Sequence, residues 1–140
     1  SEFLHRRVDL ADAAAAHLDA LGPRAAPEFE RFVISAPSPF LPEDAARLRD
    51  DLPGLLDVRC PGASETFRAA GLSVPQGLGR VYDSRAARAG LGWRPAFDFA
   101  RILDQIRSGD AIGSPLARAV GTKGYHGAQY SDGLYPVTPE

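Results

Sequence analysis

The sequence has no methionine, one cysteine, one lysine and one tryptophan in 140 residues, and each scarcity closes off a class of reading. A lone thiol, Cys60, excludes an internal disulfide and any zinc site built on several cysteines. In the run Cys60-Pro61-Gly62 it reads as an inert turn residue. No apolar run approaches the ~18–20 residues that a membrane-spanning helix requires. The amino terminus lacks the basic, apolar, small-residue order of a signal peptide, so no membrane is implied and the expected compartment is cytoplasmic. Without an initiator methionine, Ser1-Glu2-Phe3 reads as a cut, processed or engineered start. Lys123 is the single lysine among 16 basic residues, the rest being scattered arginines, and the net charge is −2. No basic stripe of the kind that binds nucleic acid results.

Catalytic motifs are equally scarce. His5, His17 and His126 stand far apart, with no H-x-x-x-H or H-E-x-x-H spacing to place two imidazoles on one helix face, so no metal site is expected. No serine lies in a G-x-S-x-G elbow, and a compact hydrolase would need a Ser or Asp brought in space to His17 or His126. Gly121-Thr122-Lys123-Gly124-Tyr125-His126-Gly127 has a glycine spacing suited to a dinucleotide phosphate. That function needs a strand before it and a helix behind it, and neither is evident, so it reads as a surface turn. Gly77-Leu78-Gly79 lacks a third glycine.

What is present is a series of short elements. Val8-Asp9-Leu10 leads into a helix over 11–21, with Ala14, Leu18 and Leu21 at helical spacing, Asp9 or Asp12 as its cap and Gly22-Pro23 as its stop. Residues 29–34 are aromatic and β-branched between prolines and read as a buried strand. Pro42 opens a second helix whose inner stripe is Ala45, Leu48 and Leu52. Residues 55–59 read as a short strand, 64–70 as a helix capped by Ser64 and ended by Gly71, and 72–79 as loop. Asp83 caps a helix over 84–89, which Gly90 and Gly92 end. Phe99, Ile102, Leu103 and Ile106 then mark an amphipathic helix stopped by Gly109. The division is a region 1–112 followed by an irregular tail, 113–140. There is no internal repeat.

The stretch 81–95, VYDSRAARAGLGWRP, resembles the carboxy-terminal signature of extended short-chain dehydrogenases/reductases, the NAD-dependent epimerase/dehydratase family that acts on nucleotide sugars. Asp83, Ser84, Leu91, Gly92, Trp93 and Pro95 match its helix start and its Leu-Gly-Trp-x-Pro turn. Residues 3–21 look like the family's V-x-D-V-A segment, and Phe32-Val33-Ile34-Ser35 with the Pro42 helix looks like its F-N-I-S strand and helix. The resemblance runs from residue 3 to about 107; residues 114–126 are similar to the tail of one subgroup.

The resemblance implies an α/β fold: the carboxy-terminal part of a Rossmann-like enzyme, with the smaller substrate lobe. It implies NAD(P) for the parent enzyme, a nucleotide-sugar substrate, and an amino-terminal Rossmann half missing from this chain. The family's Tyr-x-x-x-Lys pair is absent, since Tyr82, Tyr125, Tyr130 and Tyr135 are followed four positions later by Ala86, Gln129, Leu134 and Pro139. No catalytic residue is therefore expected here, and no cofactor bound by the chain alone. Family arginines hold the sugar-nucleotide diphosphate by charge-assisted bonds, and Arg80, the only basic residue of the loop 72–82, is the candidate for that contact. Arg6 and Arg7 occupy positions that are usually apolar in the family. The alternative is a stand-alone or homo-oligomeric scaffold, for which the apolar face of the helix 98–108 would be the contact.

Overall fold

The Asp9 carboxylate accepts the Ala11 amide at 2.8 Å and opens α1, Leu10–Ala20. Satisfying an otherwise orphaned first-turn amide is what makes a short acid an effective cap. The computed structural model describes residues 2–23 and 29–121. The leucines that recur at helical spacing point out, with Leu18 70% and Leu21 83% exposed. Its buried residues are Asp12 and Ala16.

Beyond it, residues 29–34 form no strand. Just after it a backbone bond, Ala36 N to Arg7 O at 2.8 Å, ties the chain to the segment before α1. A second, Tyr82 N to His5 O at 2.8 Å, ties in the segment before the fifth helix. Isolated bonds are not a ladder, and Pro37 and Pro39 remove two of the amide donors that a ladder would use.

Pro42–Asp44 form a 3₁₀ turn, followed by α2, Arg47–Asp50, and α3, Leu52–Arg59. The expected strand at 55–59 is thus helical. The Asp51 carboxylate accepts the Gly54 amide and Pro53 sits in the first turn, while Leu52, Leu55 and Leu56 bury one i, i+3, i+4 face. Leu52 belongs to this stripe rather than to the end of a long preceding helix. Helix α4, Ala63–Ala69, begins at Gly62 and not at a Ser64 cap; the Ser64 amide is taken instead by the Asp57 carboxylate at 2.9 Å.

Helix α5, Arg85–Leu91, follows the loop, with the Arg85 amide on Asp83 at 2.9 Å. Gly90 lies inside it, and Gly92, at φ +70°, makes the left-handed turn that ends it. Helix α6, Phe99–Ser108, buries Phe99, Ile102 and Leu103 and ends at Gly109. Inside the expected tail, α7, Pro115–Val120, is capped by Ser114 and packs on α1.

The main core gathers Leu4, Phe40, Leu48, Leu52, Leu55, Leu56, Phe67, Leu78, Phe99 and Leu103 from α2, α3, α4, α6 and the flanking segments. A smaller one places Trp93 against Ala16 of α1 and Ala87 of α5, two small side chains that let these helices approach. The expected α/β, Rossmann-like architecture is therefore corrected. The described residues hold seven α-helices and no strand. None of these helices is long and apolar enough to cross a membrane.

Two buried acids join distant parts of the chain. Asp12 accepts the Ala96 amide at 2.7 Å and the Phe97 amide at 2.9 Å, while its own carbonyl accepts the Trp93 indole N–H at 2.9 Å. Asp44 accepts the Leu41 amide and receives the Arg59 guanidinium on both oxygens at 2.8 Å. The Arg59 bonds hold the Asp44 carboxyl below the usual carboxylate range.

Asp12→Ala leaves two partly buried amides without an acceptor and is predicted to cost about 3 kcal/mol in urea unfolding. Asp12→Asn, keeping one acceptor oxygen, should cost about half as much; two equal, near-zero costs would contradict the clamp. For Asp44 the folded pKa is depressed, so its stabilising contribution is fully present above the unfolded value of about 4 and is lost as pH falls through the folded one. Unfolding followed from pH 6 to pH 2.5 should show the wild type losing more stability than Asp44→Asn. Parallel losses would exclude this pair as a source of acid sensitivity.

Candidate functional site

The segment 37–42, α2 and the stretch 78–88 enclose a cleft of about 650 Å³, within the range of small-molecule sites. Its floor is apolar, because Phe40, Leu48 and Leu78 are core residues that reach its wall. Its charged lining is Arg49, Arg80, Arg85 and Arg88 against a single acid, Asp83, a balance of 4 − 1 = +3. Tyr82, partly exposed, stands at the rim.

Local chemistry places these groups. The loop 72–79 is drawn onto α2 by the Leu78 amide, which donates to Leu48 O at 2.7 Å, so Arg80 is carried to the mouth of the cleft. Arg85 folds back on Asp83, with Nη2 to Oδ2 at 2.6 Å, and this pairing keeps the Asp83 carboxyl below its usual range. Arg88 follows Ser84 by one helical turn, its amide donating to Ser84 O at 3.0 Å, so the two share a face of α5. Both line the cleft. Ser84 is 3% exposed, and neither its Oγ nor the Arg88 Nε has a hydrogen-bond partner among the described residues.

Arg80, the residue singled out from sequence, lies in this cleft, exposed. Arg49, Arg85 and Arg88 were not singled out, and Ser84 was named only as a position matching a helix start. The signal that could have found them is the run Ser84-Arg85-Ala86-Ala87-Arg88, which sets a hydroxyl and two guanidiniums on one turn. The other matched positions of the stretch 81–95 serve packing. Asp83 supports the start of α5, Gly92 turns the chain, and Trp93 is wholly buried. The apolar face of α6, proposed as a scaffold contact, is covered by the protein's own core.

The arrangement supplies cations and hydroxyls, and its one carboxylate among the described residues, Asp83, is engaged by Arg85. Among the described residues no histidine, cysteine, lysine or glutamate lines the cleft. His17 is exposed and bonds the Ala13 carbonyl at 2.7 Å, His5 lies outside the cleft, and His126 lies outside the described residues, as do 122–127 of the glycine-spaced loop. Among the described residues no three His, Cys, Asp or Glu side chains are grouped to hold a metal ion. Cys60 is partly buried after α3, and burial, followed by the charge of Asp98, pushes its thiol up, which lowers its thiolate fraction at neutral pH. Compared with protein-family models, with curated proteins and with solved structures, the chain matches none.

Proposed function

We propose that this chain is a substrate-binding lobe for a nucleotide sugar, holding the diphosphate over the arginines of the cleft and contributing no catalytic centre of its own. The observation that carries the reading is the composition of the cleft: among the described residues, four guanidiniums face one carboxylate, itself paired with Arg85, above an apolar floor. Guanidinium N–H groups match phosphoryl oxygens in geometry and charge, and an apolar floor with a tyrosine at its rim suits the base and sugar that flank the diphosphate. The resemblance of 81–95 to NAD-dependent epimerase/dehydratase enzymes supports the same substrate class. Chemistry then belongs to a nucleotide-binding half supplied by a larger protein, where NAD(P) would carry the hydride. The helical architecture here requires no shared sheet for the cleft to form.

Titration of the chain with UDP-glucose, followed by amide NMR, is predicted to shift resonances of residues 78–88 and of α2 selectively. Arg80→Ala should weaken the interaction about fivefold, the loss of roughly 1 kcal/mol from one exposed charge-assisted contact. An absence of shifts at millimolar ligand, or shifts centred on α7 and α1, would contradict the proposal.

A further inference from the structure

We infer that Asp83 is a built-in competitor for the cleft: its carboxylate holds the Arg85 guanidinium in the ligand-free chain, and an anion binds at full strength only by drawing Arg85 off it. The inference adds a restraint to the reading of the cleft as an anion site and rests on that reading.

Arg85 folds back on the residue two positions before it. Its Nε donates to Asp83 Oδ2 at 2.8 Å and to Oδ1 at 3.0 Å, and its Nη2 meets Oδ2 at 2.6 Å. An edge of the planar guanidinium that could grip an oxyanion with two parallel N–H groups is therefore occupied by the chain's own carboxylate. Arg49, Arg80 and Arg88 line the same cleft, and among the described residues Arg85 is the one cleft arginine held in an ion pair. The Arg85 bonds keep the Asp83 carboxyl below the usual carboxylate range, so the competitor stays charged at neutral pH.

The ion pair is not what builds α5. The Arg85 backbone amide donates separately to Asp83 Oδ1 at 2.9 Å, and that bond supports the helix start whether or not the guanidinium stays. Both side chains are more than half exposed, Arg85 at 67% and Asp83 at 54%, where water screens an ion pair and leaves it weak. A contact of that kind exchanges easily. A diphosphate carries more charge than one carboxylate and has further exposed guanidiniums to meet in Arg49 and Arg80, so it outcompetes Asp83 for Arg85. Asp83 is then left facing water, where an unpaired carboxylate costs little.

The test is calorimetric titration of the full 140-residue chain with inorganic pyrophosphate and with UDP-glucose, for the wild type, Asp83→Asn, Arg85→Gln and the double variant, with the Arg85 Nε–H resonance followed by NMR. Asparagine keeps an oxygen for the Arg85 amide, and Asp83→Ser, another uncharged cap, should behave like it. Asp83→Asn should bind each anion about fivefold more tightly than the wild type, and the wild-type Arg85 Nε–H resonance should move on binding. In the Arg85→Gln background the same Asp83 substitution should gain less than about twofold, because the guanidinium it releases is gone. Four results would overturn the competitor: no binding of either anion by the wild type or Asp83→Asn, no gain in Asp83→Asn, an equal gain with and without Arg85, or an unmoved Arg85 resonance in the bound wild type. If UDP-glucose binds the wild type and Asp83→Asn equally, the competitor is wrong and the nucleotide-sugar reading stands. If pyrophosphate shows the gain and its dependence on Arg85 but UDP-glucose binds neither protein, the nucleotide-sugar reading is wrong and the competitor stands.

Discussion

The fold depends on a carboxylate placed where a helix would ordinarily bury a leucine. Asp12 lies on the inner face of α1, and both of its oxygens are used by amides 84 and 85 residues further along the chain. Burying a carboxylate is costly unless it is fully hydrogen-bonded, and here the bonds come from the Ala96 and Phe97 backbone amides. The backbone carbonyl of the same residue takes the Trp93 indole, so the largest buried side chain is positioned by the same residue. Asp9, three residues earlier, repeats the device: one oxygen caps α1 and the other accepts the Ser114 amide at 2.8 Å, which seats α7. Two acids one turn apart thus organise the junctions of α5 with α6 and of α6 with α7.

The consequence for the cleft is positional. Helix α5 is only seven residues long and ends in a left-handed glycine. Too short to be stable alone, it takes its place from what holds its ends. The carboxy-terminal end is fixed by Trp93, which packs against Ala87 and Ala16, and the amino-terminal end by the Tyr82 amide on His5 O. Arg85 and Arg88 lie between these anchors. A binding group carried on a short helix pinned at both ends is pre-organised, so little ordering remains to be done when an anion enters.

Local signals in the sequence were legible where the physics is local. Asp83 supporting the start of α5, Gly92 and Gly109 as helix stops, and the stripe Phe99, Ile102, Leu103 all depend on residues within one or two turns, and the structure has them. Residues 55–59 were misread because a short apolar run does not separate strand from helix until Leu52 is assigned to it. The 29–34 segment has the composition of a strand, but pairing is a property of two segments, and the prolines beyond it break the ladder. On α1 the leucines that recur at helical spacing lie on the exposed side, since the inner face is chosen by Asp12 through bonds that span most of the chain. The resemblance to a sheet-containing enzyme family then reinforced the strand readings. Arg80 was legible as the lone cation of a loop, whereas Arg85 and Arg88 carry no site signal of their own in the sequence and only the structure shows that they line the cleft.

The central claim is that the Asp12 clamp is part of the globally stable core and holds α5 in place. Native-state hydrogen exchange of the Ala96 and Phe97 amides and the Trp93 indole N–H measures it directly. The account predicts that all three exchange only through global unfolding, with the same protection as the buried turns of α3 and α6. Exchange at the rate of an exposed loop, while α3 and α6 remain protected, would contradict it.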